Sequence, residues 1–138
     1  MSTLEEKKAA VVEDFMLFDD WMDKYEYLIN LGKELEPLPE ECRTEDRLIR
    51  GCQSRVWLDA RMEEGKLVFR ADSDALITRG IIALLVQVYS GRTPEEIAAD
   101  DFGFLEQIGL KENLSPTRAN GLVSMVSTIR QAAKENAR

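Results

Sequence analysis

The sequence predicts an α/β (α+β) fold in which several helices pack against a small antiparallel sheet of three strands. Apolar residues recur at helical spacing near both ends of the chain and alternate with polar residues between Val56 and Ala71. A nearly continuous apolar stretch follows at residues 75–89. With 138 residues, the chain is expected to form one domain over residues 1–138.

Two amphipathic helices are predicted to open the fold. The apolar positions of the first, within residues 5–18, are Ala9, Val12, Phe15 and Met16. Those of the second are Trp21, Tyr25, Leu28 and Leu35. Asp19 or Asp20 can cap the second helix, because a short acidic side chain accepts a hydrogen bond from the first-turn amides.

A surface loop is predicted next, at residues 34–46, because Pro37 and Pro39 prevent a helix and the remaining residues are mostly polar. Cys42 lies in this loop. Two strands then run on either side of a turn at residues 63–65. Residues 47–50 are expected to add a third strand, which places the segment GCQS, residues 51–54, at the tip between two antiparallel strands.

Three further helices complete the prediction. Residues 75–89 are apolar on nearly every side, as in a helix at the centre of a domain, with Ser73 or Asp72 as its cap and Asp74 in its first turn. The segment TPEE at residues 93–96 has the capping-box pattern and predicts a short helix to Ala99. Ser115 is expected to cap a last helix that ends near residue 134.

The net charge and the composition limit the kinds of partner that the chain is expected to bind. The chain has 26 acidic and 18 basic residues and a formal net charge of −8, which argues against nucleic acid held through phosphate contacts. The first 15 residues lack a basic segment followed by an apolar one, and no stretch approaches the apolar length of a membrane span. A soluble, cytoplasmic protein that does not bind membranes is expected.

The lack of histidine excludes several kinds of site. With no histidine and two cysteines, the chain offers no Ser-His or Cys-His pair and no zinc site of the usual kind, so no metal is expected. In the reducing cytoplasm, Cys42 and Cys52 are expected to be two thiols and not a disulfide.

The segment GCQS sets Cys52 among glycine and small polar residues, whereas a cysteine used only for packing is expected in an apolar run. A loop tip would make the thiol accessible. Arg50 and Arg55 can favour the thiolate if their side chains turn toward it. Gln53 and Ser54 can donate hydrogen bonds to the sulfur. Gly51 permits a positive φ or a close backbone approach. The alternative is an incidental loop cysteine beside two solvated arginines.

Four ordered segments carry a family resemblance: IRGCQSRVWL, ADSDALITRGIIALL, GRTPEEI and LSPTRANGLVSMV. Together they resemble SufE, the sulfur-acceptor protein of iron–sulfur cluster assembly, from about Phe15 to Ala132. The resemblance implies a fold like that of the IscU scaffold proteins. It also implies that Cys52 accepts persulfide sulfur from a SufS-type cysteine desulfurase, stimulates it, and passes sulfur to the SufBCD complex.

The resemblance implies no cofactor for this chain, because pyridoxal phosphate would belong to the desulfurase, and no independent enzymatic turnover is expected. CsdE proteins share these motifs and serve a sister desulfurase, so the donor stays open. Cys42 matches none of the motifs. Two other functions compete: an IscU-like scaffold, which would need several cysteines plus histidine or aspartate at one site, and a non-catalytic adaptor for which Cys52 is dispensable.

Two charged residues outside the loop are further candidates. Asp74 can complement the dipole of the helix at residues 75–89, and the resemblance places it near the cysteine loop, which it can restrain. Arg118 occupies the third helical position after Ser115, where an acid is favoured, and this broken local rule points to function. A carrier also needs to shelter its persulfide, and Val56, Trp57 and the face of the buried helix are expected to form a shallow pocket.

Overall fold

A computed structural model describes residues 3–137 of the chain. It has six α-helices and one antiparallel hairpin within those residues, and the helices pack on one face of the hairpin. The elements in chain order are α1 (Leu4–Met16), α2 (Trp21–Glu34), β1 (Val56–Glu63), β2 (Lys66–Ser73), α3 (Leu76–Tyr89), α4 (Pro94–Ala99), α5 (Phe104–Gln107) and α6 (Pro116–Asn136). The predicted class, helices on a small antiparallel sheet, is confirmed.

Helix α1 buries a stripe that matches the expected one only at Phe15 and in part at Val12. Leu4, Val11 and Phe15 are buried, while Ala9 and Met16 are exposed and Val12 is half-buried. Lys8 lies on the buried stripe, where its ammonium pairs with Asp100. A lysine at a core-facing position hides the true helical period, so the apolar residues one position away were misassigned.

The predicted third strand is wrong. Residues 47–50 make one isolated bridge, Leu48 with Trp57, and the amide of Ile49 donates to the carbonyl of Val56 at 2.8 Å. A 3-10 turn at Glu45–Arg47 precedes the bridge and a turn at Gly51 follows it, so there is no length for a strand. The local geometry still agrees with the expectation in one respect, because GCQS joins an antiparallel bridge to β1.

The outer face of the hairpin carries charge that the loop at residues 35–48 covers. Asp72 is only 1% exposed, and its carboxylate accepts hydrogen bonds from the amide of Leu38 at 3.0 Å and from Arg43 at 2.6 Å. It also pairs with Arg79 of α3 at 2.8 Å. Asp72 therefore does not cap α3 as predicted but ties the loop to the centre of the fold, since a buried carboxylate requires such partners.

Helix α3 lies at the centre, as predicted, and packs against α2, the hairpin, α1 and α6. Its N-cap is Ala75, without a side-chain cap, so Asp74 precedes the helix and is not in its first turn.

The capping box of Thr93 and Glu96 and the Ser115 cap of α6 are confirmed. No helix between residues 3 and 137 combines the length and apolar character needed to cross a bilayer.

Candidate functional site

The turn at Gly51 sets the position of Cys52. Gly51 has φ +91°, a conformation that other residues rarely adopt. A Cβ placed on Gly51 would lie 2.4 Å from the hydroxyl oxygen of Ser124, so the loop backbone rests almost directly on α6. Glycine at this position meets both requirements that the sequence suggested for it, the positive φ and the close approach.

Cys52 also contacts α6, one turn before Ser124. Its thiol is free and half-buried, and it donates a hydrogen bond to the carbonyl of Gly121, with 3.7 Å between Sγ and the oxygen. A Cβ on Gly121 would lie 3.4 Å from Sγ and 3.9 Å from the Cβ of Cys52. Gly121 and Ser124, three residues apart on one face of α6, thus form the seat of the cysteine loop; we call them the α6 seat.

Burial raises the pKa of the Cys52 thiol above its usual value. The two flanking arginines do not offset this, because within residues 3–137 neither Arg50 nor Arg55 donates a hydrogen bond to the sulfur. The expectation that they favour the thiolate is therefore not met in this conformation. Burial therefore favours the neutral thiol over the thiolate in the seated conformation.

Cys52 stands at the edge of a cleft of about 490 Å³ between the N-terminal ends of α3 and α6. Besides Cys52, the wall includes Ile29, Gln53, Ser54, Leu76, Ile77, Thr78, Arg118 and Gly121. Val56 and Trp57, expected to shelter the sulfur, do not line this cleft; both are buried in packing, and the Arg43 guanidinium lies over the Trp57 ring. Of the predicted shelter, only the face of α3 contributes.

Asp74 closes the base of the cysteine loop. One of its carboxylate oxygens accepts a hydrogen bond from the amide of Arg55 at 3.0 Å, and its own amide donates to the carbonyl of Arg55 at 3.2 Å. The side chain is exposed. This pair of bonds fixes the point at which the loop enters β1, three residues after Cys52.

Arg118 lies at the third helical position of α6, with its amide donating to the hydroxyl of Ser115 at 3.3 Å. Its side chain is exposed and forms part of the cleft wall. The predicted candidates therefore divide into two groups. Cys52, Gln53, Ser54 and Arg118 face one cleft, while Gly51 and Asp74 hold the loop from outside it.

Cys42 belongs to a separate cluster on the outer face of the hairpin. Its sulfur accepts a weak hydrogen bond from the Arg70 guanidinium at 3.7 Å. The same guanidinium pairs with Asp59, which also pairs with Arg47 and Arg61. Cys42 is absent from the cleft wall, and the described residues contain no cluster of three or more metal-ligating side chains.

Sequence reasoning missed two parts of the site. Ser124 was not a candidate, although its position three residues after Gly121 places it on the same helical face. The sequence predicts that the face of the buried helix lines a pocket, but it does not single out Leu76, Ile77 and Thr78 as the residues that form the wall. Leu76 is in fact 65% exposed. A helix that is apolar on nearly every side carries little signal for which of its apolar residues faces solvent.

Comparison with known proteins identifies the family. The SufE family model, described as an Fe-S metabolism associated domain, matches residues 9–133. An uncharacterized SufE-like protein of Rhizobium etli is 47% identical over 132 residues, which cover 92% of this chain and 89% of the relative. One of Rhizobium meliloti is 42% identical, covering 90% and 92%, and one of Synechocystis is 38% identical, covering 96% and 83%.

A solved structure supports the same fold. The solution structure of a hypothetical protein from Thermus thermophilus superimposes with a TM-score of 0.77 and covers 94% of this chain and 95% of that one. Its sequence identity is 21%, so the likeness concerns the fold alone.

Proposed function

Because the chain belongs to the SufE family, which is associated with iron–sulfur metabolism, we propose that it is a sulfur carrier that accepts sulfur on Cys52 from a cysteine desulfurase. It stimulates that desulfurase by removing the product sulfur. The donor is a SufS-type desulfurase or, in the alternative, a sister desulfurase of the kind that CsdE proteins serve. The carrier works in the cytoplasm and delivers its sulfur to a SufBCD-type assembly complex.

One observation carries this proposal: a free, half-buried thiol at a loop tip borders a cleft with room for more than its own sulfur. One water molecule takes up roughly 30 Å³ of the liquid, so a cleft of about 490 Å³ accommodates an added sulfur atom without displacement of the core. A cysteine placed only for packing would not need this space.

The transfer is a redox-neutral exchange between two sulfur atoms. The Cys52 thiol loses its proton, and the thiolate attacks the outer sulfur of the donor's cysteine persulfide. The new S–S bond forms on Cys52 as the S–S bond of the donor breaks, and the donor cysteine leaves as a thiolate that takes up the proton. One sulfur atom moves: the donor cysteine returns from persulfide to thiol while Cys52 changes from thiol to persulfide, so the pair needs no external oxidant or reductant.

The cleft favours the charged product more than it favours the thiolate of the resting cysteine. Arg118 and the positive end of the α6 dipole both border it, and each stabilises an anion such as a deprotonated persulfide. The resting thiol points instead at the Gly121 carbonyl. We therefore propose two loop states, a seated one that shelters sulfur and a released one for handover, and the partner shifts the balance toward the released form by binding it more tightly than the seated form.

Two competing functions fit less well. An IscU-like scaffold requires several ligands around one cluster, whereas Cys52 is the sole cysteine at the cleft and the described chain has no metal-ligating cluster. A non-catalytic adaptor needs no thiol at all. It would leave the free thiol beside the cleft without a role.

The deciding experiment is mass spectrometry of the chain after incubation with a cysteine desulfurase, pyridoxal phosphate and cysteine. We expect the intact mass to rise by one or more sulfur atoms, peptide mapping to locate them on Cys52, and dithiothreitol to remove them. A chain that stimulates the desulfurase while its Cys52 peptide stays unmodified would establish the adaptor in place of the carrier.

Arg118→Ala is expected to weaken desulfurase stimulation severalfold without lowering thermal stability. Removing a cation from the positive end of α6 is neutral or stabilises the helix by less than about 1 kcal/mol. The loss of the guanidinium removes a partner for a carboxylate or carbonyl of the desulfurase, or for the persulfide itself. Stimulation and melting temperature are measured on the same preparation.

Lys111→Ala is a matched control for this variant, because Lys111 is also exposed but does not line the cleft. Its stimulation should equal that of the parent. If Arg118→Ala stimulates as well as the parent, or melts much earlier, Arg118 has no role in transfer.

A further inference from the structure

Three of the large exposed apolar side chains within residues 3–137 belong to the corner between α1 and α2: Met16 ends α1, Leu17 is its C-cap and Met22 lies in the first turn of α2. Met16 is 60% exposed, and Leu17 and Met22 are each 77% exposed. We call these three residues the corner patch. Clustered exposed apolar side chains are typical of interaction surfaces, whereas single ones are common on any protein. Neither the cysteine chemistry nor the cleft uses these residues.

Aromatic rings pack beneath the corner and join α1 to α2. Phe15 packs edge-on against Tyr27 with ring centroids 5.3 Å apart, and Phe18 lies 5.6 Å from the same ring. The Tyr27 hydroxyl donates to Asp14 at 2.9 Å. The corner patch is thus presented on a fixed support, which lowers the entropy cost of binding it.

One face of α2 connects the corner patch with the Cys52 cleft. Met22 and Ile29 are seven residues apart, so they share a face and lie roughly 10 Å apart along the helix axis. Ile29 lines the cleft, as does the exposed side chain of Leu76. An interface of ordinary size covers about 800 Å² of each partner and is roughly 30 Å across. Such an interface would span both the corner patch and the Cys52 cleft.

The negative charge around the corner patch indicates which kind of partner could bind it. Residues 13–26 contain six carboxylates and one lysine, and Asp19, Asp23 and Glu26 are exposed beside the corner patch. A second copy of this chain, also carrying a net charge of −8, would bring like charges together, and nucleic acid would be repelled. The complementary surface is an apolar pocket on a protein, rimmed by lysine or arginine.

We propose that the corner patch is a second contact for the sulfur donor, a desulfurase whose docking face holds such a basic-rimmed apolar pocket. This inference rests on the proposed function. The donor has to recognise the chain while Cys52 is still seated and half-buried. The corner patch is exposed in that state, so it supplies affinity before the loop moves.

The test uses the desulfurase that transfers sulfur to the parent chain in the mass-spectrometric experiment. The double variant Leu17→Ser/Met22→Ser is compared with Met62→Ser, a control that removes another exposed methionine at the far end of β1. We expect the double variant to raise both the dissociation constant and the concentration for half-maximal stimulation about tenfold, with maximal stimulation and the melting temperature unchanged. Met62→Ser should match the parent.

Charge is tested with Asp19→Asn/Glu26→Gln. The affinity of the parent should fall as salt is raised, and this dependence should be weaker in the variant because fewer charge pairs are screened.

Sulfur transfer that proceeds with unchanged affinity in the double variant overturns the inference and leaves the proposed function standing. Failure of the parent to accept sulfur from any desulfurase overturns both. Loss of self-association in the double variant, with desulfurase binding intact, assigns the patch to a second copy and also overturns it.

Discussion

Cys52→Ser is expected to abolish sulfur acceptance while the fold stays intact. A serine hydroxyl cannot form a persulfide, so no outer sulfur is carried. The structural cost is small, because the side chain is half-exposed and a serine hydroxyl can still donate to the Gly121 carbonyl that the thiol now uses. Desulfurase stimulation, sulfur added to the chain and the melting temperature are measured together.

Cys42→Ser is the matched control in this experiment. Cys42 has the same half-buried exposure as Cys52, but it lies in the Arg70 and Asp59 cluster away from the cleft. A serine there keeps an acceptor for Arg70, so both stability and stimulation should remain near those of the parent. Retained stimulation by Cys52→Ser, or loss of it in Cys42→Ser, would place the transfer chemistry elsewhere.

Local rules predicted much of the fold. The capping box at Thr93 and the Ser115 cap depend on residues within one turn, and both were read correctly from the sequence. The hairpin followed from strict alternation, and its register pairs Leu58 with Ala71 on the core face. The α1 stripe was only partly predicted because the half-buried Lys8 pairs with Asp100, a partner 92 residues away that no local pattern reveals.

The site could be predicted only in part, for the same physical reason. GCQS was correctly placed in a turn before β1, but the seat of Cys52 is Gly121, which lies 69 residues further along the chain. The sequence marks Gly121 as a poor helix former that permits the close approach of another backbone, but it does not show that this backbone belongs to the cysteine loop. Likewise, residue chemistry alone reads Asp74 as a helix-capping acid, and it was the family resemblance that placed it near the cysteine loop, where it accepts from the amide of Arg55. Long-range contacts assign these roles, and a single sequence does not contain them.

Gly121→Val is expected to drive Cys52 off the α6 seat. A Cβ at this position already lies 3.4 Å from Sγ, so the methyl groups branching from it must enter the volume that the cysteine occupies. The cost to the helix is not the cause, since valine has a higher helix propensity than glycine. The released thiol should be alkylated by iodoacetamide severalfold faster than in the parent, measured in a Cys42→Ser background so that a single thiol reacts.

The pH profile of this alkylation distinguishes release from general unfolding. Burial raises the pKa of the seated thiol, so at a pH below that pKa the parent holds less thiolate than an exposed cysteine would. Release removes the burial and lowers the pKa toward its usual value, and the profile of Gly121→Val should therefore move to lower pH, with the melting temperature close to that of the parent. Gly121→Ala adds only the tolerable contact at 3.4 Å and should keep the parent profile. If Gly121→Val folds normally and its profile coincides with the parent's, α6 does not control the exposure of Cys52.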